Sequence, residues 1–211
     1  IFLVKCKLYF HLRYEFVTPS RIGLSRAFDA MSHDILEIKL KLYGFMGTFL
    51  NFLMSFVRNR KYFVNINEIN SDTRLVNISV PQGSTLGPLL FLIYVNDMKN
   101  CSYILHLSQF ADDTTMGHSS KTLLELQQTL ETEVHKVFNW LAANKLILNL
   151  SKTNSMLFTF KRNVNKLTIK INNFDIEEKV VTTFLGVLIH NKLNWIAHVT
   201  LHTFVTKLVN L

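Results

Sequence analysis

The spacing of apolar and polar positions divides the chain into helix-period and strand-period segments. Between His33 and Phe45, Leu36, Leu40 and Tyr43 share one helical face. Ser32 stands where an N-cap belongs, and Asp34 faces the positive end of the dipole. Gly44 interrupts, and GTFLNFLMSFVRNR reads as a second apolar helix closed by Arg58 and Arg60. KYFVNIN and TRLVNISV, separated by the polar EINSD, predict a two-strand ribbon. Pro81, Gly83 and Gly87 mark a loop ahead of a buried helix over Pro88–Met98. SYILHLSQF and TTM are β-rich on either side of Ala111–Asp113, which predicts a hairpin tip in the middle of the sheet. From Lys121 to Ala143, Leu123, Leu126, Leu130, Val134, Val137 and Leu141 recur at three- and four-residue steps as a core stripe. Strands resume in SMLFTF, KLTIKI and FLGVLIH. With no repeats or linkers, no internal domain boundary is expected. The pattern predicts an α+β fold with a largely antiparallel sheet packed on helices.

Composition narrows the class. Of the 211 residues 48% are hydrophobic and 18% charged, which excludes a disordered chain. Lys and Arg outnumber Asp and Glu by 23 to 15, and the net charge of +8 favours a polyanionic partner. Cys6 and Cys101 are too few and too far apart for a disulfide framework or a zinc site, so a reducing intracellular compartment, nuclear or cytoplasmic, is expected. The longest apolar run, Leu86–Val95, falls short of the roughly 20 residues of a membrane span, so no membrane partner is expected.

Asp112 and Asp113 stand side by side in FADDTTM. Adjacent carboxylates repel unless a cation, a proton or water relieves them. Asp is also a common turn residue, so a solvated turn explains the pair by itself. Its company points further. SRAFDA (Ser25–Ala30), VPQGSTLGPLLFLIYVNDM (Val80–Met98), FADDTTM (Phe110–Met116), WLAANKLILNLSKTNSMLF (Trp140–Phe158) and FLGVLIHNKLNW (Phe184–Trp195) follow one another in order. Together they resemble the reverse transcriptase domain of non-LTR, jockey-like retrotransposons of the LINE type.

That resemblance implies a polymerase palm performing RNA-directed DNA synthesis, in which two Mg2+ ions stabilise the attacking and leaving oxygens of nucleotidyl transfer. The implied partners are an RNA template, a DNA primer and deoxynucleoside triphosphates. Asp112 corresponds to the principal metal ligand on the hairpin and Asp113 to its supporting acid. Phe28 matches the aromatic residue that excludes a 2′-hydroxyl, against the alternative of an ordinary core Phe. Gln82 matches a nucleotide contact and Gly83 a close backbone approach, unless Pro81–Gly83 is a plain turn. Lys152 matches a lysine near the triphosphate, or else is a solvated surface residue. Phe184, Leu185 and Gly186 resemble the primer grip, or are strand core.

One position departs from the pattern: Gly23 stands where the family keeps its other metal-binding Asp. Asp29, six residues on, is too far along an extended strand to replace it. Weak metal binding and catalytic impairment are expected, with Gly23→Asp strengthening cation binding at the hairpin. The domain expectation is a poorly matching remnant over 1–21, the palm over 22–199 and the truncated start of a thumb or connection region over 200–211, in a fragment of a longer reading frame. Two rivals stand beside the polymerase: a non-catalytic nucleic-acid-binding remnant, and another two-metal palm enzyme such as a nucleotidyl cyclase. The template- and primer-handling motifs argue against the cyclase.

Overall fold

The structure, a computed structural model, describes residues 16–171 and 174–201. Cys6, most of the expected N-terminal remnant and residues 202–211 lie outside the described residues. In chain order the elements are β1 (Phe16–Ile22), β2 (Leu24–Ser25), α1 (His33–Leu42), α2 (Gly47–Val57), β3 (Arg60–Tyr62), β4 (Asn65–Ile66), β5 (Ile69–Asn70) and β6 (Arg74–Val76). There follow α3 (Leu86–Val95), a 3₁₀ turn over Asn96–Cys101, β7 (His106–Phe110), β8 (Asp113–Ser120), α4 (Leu123–Ala143) and β9 (Ile147–Leu148). A 3₁₀ turn over Leu150–Lys152, β10 (Asn154–Ser155), β11 (Ile169–Ile171), β12 (Phe174–Glu178), β13 (Val181–Phe184) and β14 (Val187–His190) complete the series.

These elements form two compact units, each assembled from separated stretches of chain. Residues 16–23, 102–136 and 149–201 make the first, and residues 24–101 and 137–148 the second. The first is built on a six-stranded sheet in the order β11-β12-β10-β1-β8-β7. Its pairs are antiparallel except β10 with β12, which is parallel. β1 runs beside β8 from Phe16 opposite Ser120 to Ile22 opposite Thr114. β7 pairs with β8 from His106 opposite Gly117 to Phe110 opposite Asp113. Among the described residues the Asp hairpin therefore lies at one edge of the sheet, not in its middle as the sequence suggested. The interior place is taken by β1, which Pro19 conceals in the sequence, because proline within a run argues against a central strand. The pairing of the described β10 with β1 covers Ser20 and Arg21 and stops one residue short of Pro19.

Met156, Phe158 and Ile189 form a buried cluster in this unit, with Phe184, Val187 and Leu193 packed against it. Leu126, Leu130 and Val134 of α4 are buried as the stripe predicts. FLGVLIH is not one strand but a hairpin: Leu185 and Gly186 both have positive φ, as a type I′ turn between β13 and β14 requires.

The second unit contains α1, α2, α3, the end of α4 from Val137, and three two-stranded ribbons. The predicted ribbon forms as β3 with β6, and an inner hairpin of β4 and β5 occupies the connection. Ser32 occupies the N-cap position of α1 without a side-chain cap hydrogen bond. What fixes the helix instead is Lys39, whose ammonium is buried against the Tyr94 carbonyl and the Asp97 carboxylate and lies over the Tyr94 and Trp140 rings. Trp140 donates to the other oxygen of Asp97, and the Tyr94 hydroxyl donates to the Asn144 carbonyl. Desolvation holds Lys39 below its ordinary range and pushes the Tyr94 phenol up to about 12. α1, α3 and the end of α4 are thus joined by polar groups that would be costly to leave unpaired.

His118 gives the sheet unit a pH dependence. Burial pushes its imidazole below 6.5, outweighing a backbone hydrogen bond with Ile104 and the carboxylates of Glu125 and Glu133, all of which favour the charged form. The folded chain therefore holds this proton less well than the unfolded chain. Stability from neutral His118 is fully present above 6.5 and is lost as pH falls through the folded-state value. Urea unfolding between about pH 7.5 and 5 should show this acid loss, and His118→Gln should flatten it.

Candidate active site

The β7–β8 connection is as short as a hairpin allows. Phe110 pairs with Asp113, so Ala111 and Asp112 are the two loop residues and Asp113 opens β8. Of the two loop residues only Ala111 has positive φ, at 52°, the sign pattern of a type II′ turn and a position that favours glycine. The carboxylates thus stand at a tight turn between antiparallel strands, as the sequence predicts.

β1 brings two residues to the same place. One further step of its register with β8 sets Gly23 beside Asp113, and Arg21, two residues back, points to the same face. The Arg21 guanidinium is committed through all three nitrogens. Nε and Nη2 donate to Asp113 Oδ1 at 3.2 and 2.7 Å, and Nη1 donates to the Thr183 carbonyl at 3.2 Å. The two side chains are only 27% and 25% exposed. Arg21 therefore supplies the positive charge that relieves Asp113, and ties the strand leading into Phe184-Leu185-Gly186 to the carboxylate hairpin. Beside it a cavity of about 20 Å³ is lined by Arg21, Thr115, Thr182, Thr183 and Phe184, with no room for a nucleotide.

Gly23 is held by the segment carrying Lys152. Its N–H donates to Thr153 Oγ1 at 3.3 Å, and its carbonyl accepts from the Asn149 N–H at 2.8 Å. A Cβ at position 23 would collide with the Lys152 Cβ and come within 3.2 Å of the Lys152 carbonyl carbon. The space a side chain would need is filled by Lys152, first by its Cβ and then by its backbone. A carboxylate introduced by Gly23→Asp therefore enters only if Lys152 shifts. Lys152 itself is exposed.

The second unit gathers Phe28, Gln82 and Gly83. The Phe28 carbonyl accepts from the Val80 N–H, and its ring lies 4.5 Å from that of Phe91. Gln82 Nε2 donates to Asp29 Oδ1 at 2.9 Å, so its amide is engaged by the residue after Phe28. Gly83 has φ +78° and open space where a Cβ would stand. Gly87 is the constrained glycine of this loop: a Cβ there would press on Ser84 Oγ and the Pro81 carbonyl, the pair whose hydrogen bond shapes the turn. Neither Arg21 nor Gly87 was singled out for these roles from the sequence. The signal for Arg21 is a cation two residues before the departure at Gly23, and it becomes legible only once β1 is recognised as a strand.

This arrangement, carboxylates on a hairpin turn beside a central strand in an α+β sheet, is the architecture of a polymerase palm. Residues 18–189 match the reverse transcriptase (RNA-dependent DNA polymerase) family, and the chain belongs to it. The chain is 27% identical over 190 residues to the probable RNA-directed DNA polymerase from transposon X-element of Drosophila melanogaster, covering 88% of this chain and 21% of that protein. It is 24% identical to the RNA-directed DNA polymerase from mobile element jockey of the same species, with the same two coverages. Among solved structures, telomerase from Candida tropicalis in complex with a TWJ fragment of telomeric RNA superposes with a TM-score of 0.62. That match has 14% identity and covers 91% of this chain and 32% of the telomerase chain, a likeness of fold. The chain spans about a fifth of the length of the curated relatives it matches.

Reverse transcriptases generally use divalent metal ions. The donors present here do not fit a pair of such ions. Asp113 is neutralised by Arg21, position 23 offers no carboxylate, and among the described residues no three His, Cys, Asp or Glu side chains converge.

The packing at Gly23 is testable by itself. Gly23→Ala should cost about 1–3 kcal/mol in urea unfolding through overpacking against Lys152. The cost should shrink in a Lys152→Gly background, because the Cβ contact is then gone. Equal costs in both backgrounds would show that the close approach is not the constraint.

Proposed function

We propose that this chain is the palm, over residues 22–199, of an RNA-directed DNA polymerase from a non-LTR retrotransposon, in a copy whose nucleotidyl transfer is impaired. The observation that carries the reading is the Asp112–Asp113 turn set beside Gly23, the residue after β1, in a chain of the reverse transcriptase family. The substrates on this reading are an RNA template, a DNA primer and deoxynucleoside triphosphates, handled inside the cell. Asp112 and Asp113 are the metal-side acids, and Lys152 faces the triphosphate. Phe28, Gln82 and Gly83 contact the incoming nucleotide, and Phe184, Leu185 and Gly186 position the primer. An active relative uses two Mg2+ ions. Here Arg21 and the Lys152 turn stand where charge and space for that pair are needed, so metal binding is weak.

A second reading, a non-catalytic nucleic-acid-binding remnant, is favoured by the same Arg21–Asp113 pair, which offsets one of the two hairpin carboxylates without an ion. Incorporation measurements separate the two. Residues 22–199 grafted in place of the corresponding segment of an active relative should extend a DNA primer on an RNA template at least about 10³-fold more slowly than that relative, several kcal/mol of lost transition-state stabilisation. Extension at the relative's own rate would overturn the impairment.

A further inference from the structure

A groove of about 910 Å³, at the upper end of ligand-site volumes, opens in the sheet unit at the end of the β13–β14 hairpin away from the Leu185-Gly186 turn. The Asn191 N–H donates to the Val180 carbonyl and closes the hairpin there. Five residue steps, from Val180 to Leu185, separate this end from the turn, about 17 Å at strand rise. Its lining includes Phe160, Lys161, Arg162, Lys166, Glu178 and Lys192. Four cations face a single carboxylate, and that carboxylate is already engaged, accepting from the Leu167 N–H at 2.9 Å. The Lys192 ammonium donates to the Thr159 carbonyl at 3.0 Å, which holds it at the groove. Phe160 is 73% exposed, although the residues before it, Met156 to Thr159, are all buried. The ring thus presents apolar surface to solvent among clustered cations, a combination that suits a planar partner carried on a polyanionic chain.

We infer that this groove binds single-stranded nucleic acid, with Lys161, Arg162, Lys166 and Lys192 on successive phosphates and the Phe160 ring stacked on a base. Single strands match both features at once, since the cations track a backbone and every base offers a flat face to an aromatic ring. A duplex satisfies the cations but keeps its bases stacked away from Phe160. The site goes beyond the polymerase reading and does not need it, because it involves none of Asp112, Asp113, Lys152 or the 184–186 turn.

The test is fluorescence anisotropy of the full 211-residue chain with a labelled single-stranded oligonucleotide of mixed sequence, as DNA and as RNA, over a range of NaCl concentrations. Lys161→Gln/Arg162→Gln/Lys166→Gln should weaken binding at least tenfold at low salt. Losing three phosphate contacts should also reduce the slope of log affinity against log salt by about 2, at roughly 0.7 per contact on single strands. Phe160→Ala should weaken binding about fivefold or more with the slope unchanged, and Phe160→Trp should restore it. Circular dichroism and urea midpoints equal to the native chain's confirm that the variants fold. Native affinity and slope in the triple variant would overturn the site, as would an unaffected Phe160→Ala or tighter binding to acidic vesicles than to the oligonucleotide. Failure of primer extension in the graft leaves these outcomes unchanged.

Discussion

The pairing of β1 with β8 is the constraint on which the rest of the sheet unit depends. Seven consecutive residues of β1 are matched to β8, and their register places Gly23 and Arg21 on the face that carries Asp113. A slip of one residue would turn Arg21 to the opposite face. It would also bury its guanidinium where Thr18, Ser20 and Ile22 now lie. With the register fixed, the ion pair at 2.7 Å and the third bond to Thr183 follow from geometry. Two hairpins that meet only through space are joined by one side chain.

The electrostatic consequence is specific. In a catalytically complete palm the crowding of acids is relieved by ions that also do chemistry. Here a resident guanidinium relieves one acid, and the absence of a carboxylate at position 23 removes another. Lys152 packs closely against the glycine, in the space that a side chain at position 23 would occupy. A larger side chain at position 23 and a shift of Lys152 are therefore coupled changes.

Much of this was legible in the sequence where local chemistry and periodicity agree. The α4 stripe, the α1 and α2 helices, the ribbon of β3 with β6 and a hairpin turn at the Asp pair all follow from spacing and turn residues. Three features were not. β1 was concealed by Pro19 and by a polar VTPSRI stretch that does not alternate cleanly. The position of the hairpin at a sheet edge depends on non-local pairing that no window of sequence contains. The occupancy of the space above Gly23 is set by a segment more than 120 residues away, brought there by the Asn149 N–H on the Gly23 carbonyl. Arg21 illustrates the general difficulty: it reads as one more surface cation until its strand partner is known.

The central claim is that Arg21 serves as the cation of the Asp113 hairpin. Electron paramagnetic resonance titration with Mn2+ addresses it most directly, because free and bound ions are counted separately and no turnover is needed. The native chain should show no stoichiometric Mn2+ site at sub-millimolar concentration. Arg21→Leu should uncover one that the additional change Asp113→Asn removes. Tight stoichiometric Mn2+ binding by the native chain, lost on Asp113→Asn, would contradict the account.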